Sequence, residues 1–142
     1  MKHELVSGDL TERVIGVFYG VYNELGWGFL ESVYENSMAI ALRADGLSAR
    51  QQASMPVSFR GRLVGEFKAD LLVEDRLVIE LKSVSQLAAI HEVQLVNYLK
   101  ASGIEVGLLL NFGPRPQLKR RVFSAASNPR SSALIRVENP RV

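Results

Sequence analysis

Three of the charged residues in DLLVEDRLVIELKS, residues 70–83, fall within its apolar strand pattern: Asp70, Glu80 and Lys82. Charge is rare in a buried strand because desolvation is costly unless the group is paired or holds an ion. The stretch reads as two strands joined by a tight turn around Glu74, Asp75 and Arg76. With the turn centred on Asp75, residues whose numbers sum to 150 face each other. Asp70 then lies opposite Glu80, Leu72 opposite Val78 and Lys68 opposite Lys82, all on one sheet face. Directly opposed Cβ atoms are about 4.5–5.5 Å apart, so the two carboxylates repel unless a proton or cation lies between them. Such oxygen ligands suit a hard cation, Mg²⁺ or Mn²⁺. Lys82, one pleat beyond Glu80, is placed to orient a water or to stabilise charge growing on a phosphate. The same spacing also describes an exposed face with ordinary cross-strand ion pairs, which contribute little.

The elements that would hold these residues follow from periodicity. LTERVIGVFYGVYNEL at residues 10–25 has apolar side chains at 10, 14, 17, 18, 21 and 25, which is helical spacing. Asp9 and Glu12 have capping-box spacing, and Gly26 is a natural stop. A second helix is expected from Leu30 to Asp45, ending at Gly46. The pattern then changes to period two. ARQQASMPVSFRG reads as a strand interrupted near Pro56, followed by LVGEFKADLLV and RLVIELKSV. A helix from Ala88 to Ser102 stops at Gly103. EVGLLLNF is a nearly continuous apolar run, the mark of a strand buried on both faces, and KRRVFSA is a last edge strand. The order α-α-β-β-β-α-β-β describes an α/β sandwich with a mixed sheet.

A chain of 142 residues, 47% hydrophobic and 23% charged, is expected to form one soluble domain over residues 1–124. Residues 125–142 are a basic tail of Ser, Asn, Pro and Arg in which ALIRV could add a short strand. Without cysteine there are no disulfides or thiolate metal sites, which suits a cytoplasmic location. No apolar run approaches the ~20 residues that span a bilayer, so no membrane role is expected. Charge is asymmetric: residues 1–113 carry 10 basic against 14 acidic side chains, residues 114–142 carry 7 against 1. A basic end of this kind suits either a nucleic-acid contact or a solubilising tail.

Asp70, a nine-residue gap, then Glu80-Leu81-Lys82 resembles the D…ExK core of the PD-(D/E)XK nuclease superfamily. GFLESVY at residues 28–34 resembles the signature of the bacterial and phage GxxExxY family through Gly28, Glu31 and Tyr34. ADLLV, ELKSV, HEVQLVNYLK and VGLLLNFG resemble that family's later blocks, so the likeness runs from Leu10 to Phe123. It implies a restriction-endonuclease-like sandwich, with a mixed central sheet flanked by helices. It also implies that Glu31 comes to the site from the helix before the sheet, as a third metal ligand beside Asp70 and Glu80, directly or through water. Gln94 and Tyr98, one helical turn apart, resemble the Q-x-x-x-Y element of exonuclease-like branches. There the glutamine orients the centre and the aromatic contacts DNA. His91 joins that face, and Tyr34 and His91 stand with Tyr98 as substrate-binding candidates. Taken without the resemblance, each has a plainer reading. Glu31 can serve the helix dipole, Tyr34 can be a core residue with a wet hydroxyl, and His91 can be a surface residue. Gly28 serves a backbone turn, and Glu92 is expected to face solvent.

The function that follows is a Mg²⁺- or Mn²⁺-dependent nuclease acting on nucleic acid, DNA before RNA, through Asp70, Glu80, Lys82, Glu31 and Gln94. The alternative is a non-catalytic module on the same fold that binds nucleic acid or a protein. An oligomer is compatible with either, and an oligomeric structural protein whose carboxylates merely bind a cation is a third reading.

Overall fold

The computed structural model describes residues 7–124. The tail reading for residues 125–142, including the ALIRV strand, lies outside them. Helix α1 (Gly8–Leu25) buries Leu10, Val14, Phe18 and Val21, the stripe its periodicity demands. It begins earlier than the capping-box spacing implies. Ser7 is the cap residue without a side-chain cap bond, and Asp9 instead sits in the first turn, where the helix dipole favours an acid. Gly26, at φ 71°, ends the helix by donating its N–H to the Tyr22 carbonyl. Helix α2 (Glu31–Ala44) buries Tyr34, Met38, Ala39 and Leu42.

Strands β1 (Ala49–Phe59), β2 (Arg62–Val73), β3 (Leu77–Lys82), β4 (Val106–Phe112) and β5 (Pro116–Val122) form one sheet in sequence order. Only β3 and β4 are parallel, and α3 (Ala89–Ser102) makes the crossover that a parallel pair requires. The element order and the mixed sheet are those expected. Helices α1 and α2 cover one face, where Phe18, Tyr34 and Met38 pack with Leu71, Ile79, Leu81 and Phe112. Helix α3 covers the other, where Leu95 and Leu99 meet Met55, Leu72, Val78 and Leu109. Strand β4 is buried along its whole length, as its unbroken apolar run implies. Gly107 lets α3 sit close to it: a Cβ there would lie 2.7 Å from the Leu95 side chain.

Pro56 does not interrupt β1. It pairs with Glu66 within the strand, and β1 is an edge strand, where a missing N–H costs little. The register does shift just past Pro56, between Val57 and Ser58, and a second irregularity falls at Gln52, which has φ 50°. Pairing between β1 and β2 runs from Ala49↔Val73 to Gln51↔Leu71, omits Gln52 and Asp70, and resumes at Ala53↔Ala69. Across this gap the buried faces exchange. Leu71 and Val73 face α1 and α2, whereas Ala69 packs on the α3 side.

Candidate active site

The β2–β3 ladder holds Leu71↔Ile79, Leu72↔Val78 and Val73↔Leu77, the register centred on Asp75. It stops one residue short of Asp70. Lys68, expected opposite Lys82, pairs with Ser54 of β1. At the end of the ladder, side chains take over the hydrogen bonding. The Leu81 N–H donates to Asp70 Oδ2 at 2.8 Å, and the Asp70 N–H donates to Glu80 Oε2 at 3.2 Å. The two carboxylates are therefore tied across the point where the strands part, Glu80 to the Asp70 amide and Asp70 to the Leu81 amide, and not as a flat cross-strand pair.

Burial and mutual repulsion dominate the electrostatics. Glu80 is pushed up from 4.5 to about 8, first by desolvation and then by the Asp70 charge, against the Asp70 amide and Lys82. Asp70 is also raised, chiefly by desolvation, with Glu35 and Glu31 adding to the rise and Leu81 and Gln52 opposing it. Coupled so closely, the two groups titrate as a unit that retains a proton at neutral pH when no cation neutralises it. Neither carboxylate makes a salt bridge within the described residues. Two half-buried carboxyls that form no salt bridge among the described residues fit a hard divalent cation, which would displace the proton. Among the described residues, however, no group of three or more His, Cys, Asp or Glu side chains gathers in a geometry able to hold a metal.

The helix residues divide. Glu31 opens α2, is exposed, and raises both carboxyls by its charge. It acts across space and does not close a three-carboxylate cage. Tyr98 is half-buried on α3, stacks on Phe67 of β2 with ring centroids 3.9 Å apart, and has its hydroxyl raised by burial, then by Glu80 and Asp70. Tyr34 is fully buried, so the expected substrate contact gives way to a structural one. Its hydroxyl donates to the Gly26 carbonyl at 2.7 Å and accepts from the Phe29 N–H at 3.2 Å, while its ring stacks on Phe112. His91 accepts a bond from the Ala88 N–H through Nδ1 at 3.0 Å, which caps α3 and spends that nitrogen. Gln94 is exposed. Glu92, expected in solvent, is ion-paired with Arg121 of β5.

A profile of the PD-(D/E)XK nuclease superfamily matches residues 8–122. The chain belongs to the PD-(D/E)XK nuclease superfamily. The crystal structure of SSO0001 is similar in fold, with a TM-score of 0.52 at 18% identity over 75% of this chain. The match spans 57% of that protein. No match is found among curated proteins. Nucleases of this superfamily act on nucleic acid and typically use divalent metals. Among the described residues no helix is long and apolar enough to cross a membrane.

In this PD-(D/E)XK chain, the supports of the site are polar residues that no motif singles out. Glu35, one turn after Glu31, accepts from Gln51 at 2.9 Å and from Gln52 at 2.7 Å. Gln52 also donates to Asp70 Oδ1 at 3.2 Å, so α2 is tied to the carboxylate through the irregular residue of β1. The four-residue spacing of Glu31 and Glu35 was the available signal. Asn111 is fully buried in the apolar β4 strand and pairs in register with Lys82. Its amide accepts from the Val84 N–H and donates to the Val84 carbonyl, both at 3.0 Å, and donates to Gln117 at 2.9 Å. Gln117 accepts in turn from the Leu87 N–H at 3.1 Å. The segment leaving Lys82 is thereby held against β4 and β5. A polar residue within an otherwise apolar run is the trace of this in the sequence.

Proposed function

We propose that the chain is a divalent-metal-dependent phosphodiester hydrolase, a nuclease of the GxxExxY type acting on DNA. The observation that carries this is the Asp70–Glu80 pair, two carboxyls raised by burial and by each other, with Lys82 next but one along β3. Asp70 and Glu80 would hold Mg²⁺ or Mn²⁺, with Glu31 acting at longer range or through water. The cation supplies charge for the scissile phosphate and acidity for a bound water. Lys82 orients the attacking water or balances the charge that grows on the phosphate. Tyr98 lines the α3 side, and Gln94, exposed one turn earlier, would orient the centre. The GxxExxY assignment is supported by how its three positions cooperate. Gly28 takes φ 110°, and the Tyr34 hydroxyl closes the loop around it at the start of α2, where Glu31 stands.

A cleavage screen over single-stranded, duplex and branched DNA and over RNA, with Mg²⁺ or Mn²⁺, tests this. Activity that disappears in Lys82→Ala is expected. Two observations favour a second reading, a non-catalytic nucleic-acid-binding module: the lack of a three-ligand cluster among the described residues and the exposure of Gln94. Metal-independent binding without cleavage of any substrate would select it.

A further inference from the structure

The loop between α1 and α2 presents three large apolar side chains to solvent: Trp27 is 60% exposed, Phe29 47% and Leu30 76%. Single exposed hydrophobics are ordinary, but a contiguous set on a short loop is not. Nor is the loop loose. The Tyr34 hydroxyl bonds to both Gly26 and Phe29, and Ser83 Oγ donates to the Phe29 carbonyl at 2.8 Å. Gly26 and Gly28, at φ 71° and 110°, flank Trp27 and turn the chain there. Phe29 meets Tyr34 only edge-on, at 6.0 Å and 71°, and Trp27 stacks on no described ring. The fold thus holds the loop backbone in place, with two partly exposed aromatic side chains, and ties it to the residue that follows Lys82.

We propose that this loop is a stacking rim for unpaired bases, so that the site takes single-stranded or frayed nucleic acid. The inference rests on the nuclease reading and names its substrate class. Bases stack on exposed aromatic faces whatever their sequence, and a duplex keeps those faces within its own stack. Continuity decides the occupant. The loop is joined through Ser83 to the end of the strand that carries Glu80 and Lys82, so a chain whose phosphate reaches the carboxylates would have the rim beside it. Stacking also supplies affinity that the acidic surroundings of the carboxylates cannot.

Trp27 is the only tryptophan in the chain, so its emission reports the rim directly. The full-length protein in EDTA is titrated with oligo(dT) and, separately, with a blunt duplex. Saturable quenching of Trp27 by oligo(dT), several-fold stronger than by duplex, is expected. Trp27→Ala should weaken binding of labelled oligo(dT) about 5- to 100-fold, as loss of one stacked base predicts. Trp27→Phe should restore most of it. Equal quenching by duplex, unaltered binding in Trp27→Ala, or no saturable binding below about 100 µM at physiological salt overturns the proposal. So does a blue shift of Trp27 emission that tracks protein concentration, which would mark a self-interface. Quenching without cleavage under Mg²⁺ would overturn the nuclease reading and keep the rim. Cleavage of duplex with Trp27 unperturbed would do the reverse.

Discussion

Replacing Glu80 by Gln should stabilise the metal-free protein, and the gain should depend on pH. The folded protein retains the Glu80 proton up to about pH 8, whereas the group's ordinary value is 4.5. Between those values the folded state binds more protons than the unfolded chain, so wild-type stability falls as pH rises through the window. At about 1.4 kcal/mol per pH unit the whole displacement corresponds to ~5 kcal/mol. Sharing of the proton with Asp70 and partial solvent access reduce this, and ~2 kcal/mol is the expected working value. Glu80→Gln removes the titrating group and keeps the shape. Urea unfolding in EDTA should therefore show equal stability of the two proteins near pH 4 and a gain for Glu80→Gln of ~2 kcal/mol at pH 8.5. In melting temperature that is a difference of about 6 °C. Mg²⁺ should close the gap by stabilising wild type more than the variant. A variant no more stable than wild type at pH 8.5, or an identical response of both to Mg²⁺, would refute the assignment of a strained, cation-seeking carboxylate pair.

Lys82→Ala should abolish cleavage while calorimetry shows Mg²⁺ affinity within a few-fold of wild type, because lysine is no metal ligand; full activity would sink its role. Asp70→Asn should lose metal affinity and cleavage together in the same two assays. Tyr34→Phe should cost about 1–2 kcal/mol in urea unfolding, since it leaves the Phe29 N–H without its acceptor and frees the loop before Glu31. Asn111→Leu should cost about 2–4 kcal/mol by stranding the Val84 peptide, and should lower kcat more than KM by loosening the exit of β3.

The fold was legible because its signals are local and mutually consistent. The α1 stripe, the turn at Asp75 and the doubly buried β4 each demand one element, and a helix between β3 and β4 makes them parallel. The register of β2 on β3 followed from the turn as far as Leu71. Asp70 escaped the same rule because an alternating pleat was assumed to continue, whereas Gln52 adopts φ 50° and the pairing skips a residue. Nothing in the types of Gln52 or Asp70 announces that break. The roles of Tyr34 and His91 turned on which polar atoms their neighbours leave unmet. Gly26 and Phe29 claim the tyrosine hydroxyl, and Ala88 claims the imidazole. Such claims come from residues that meet only in three dimensions or at a helix end, and side-chain spacing does not carry them. Glu35 and Asn111 went unmarked for the same reason.

The departure of β2 from β3 at Asp70 has a mechanical consequence. Beyond that residue, β1 and β2 continue as a two-stranded ribbon whose end, from Ser58 to Glu66, is exposed throughout. A ribbon of this kind is marginal without a third strand or a helix against it, and here α3 supports only its root, at Met55 and Phe67. Amide protons near the tip should exchange by local fraying, while those of Leu71, Val73 and Ile79 wait for global unfolding. This arm thus leaves the sheet at Asp70, one of the two paired carboxyls. A polymer gripped by the arm would load the Asp70 backbone, and with it the bonds to Glu80 and Leu81, so tension on the tip can be felt as a change of spacing between the two acids.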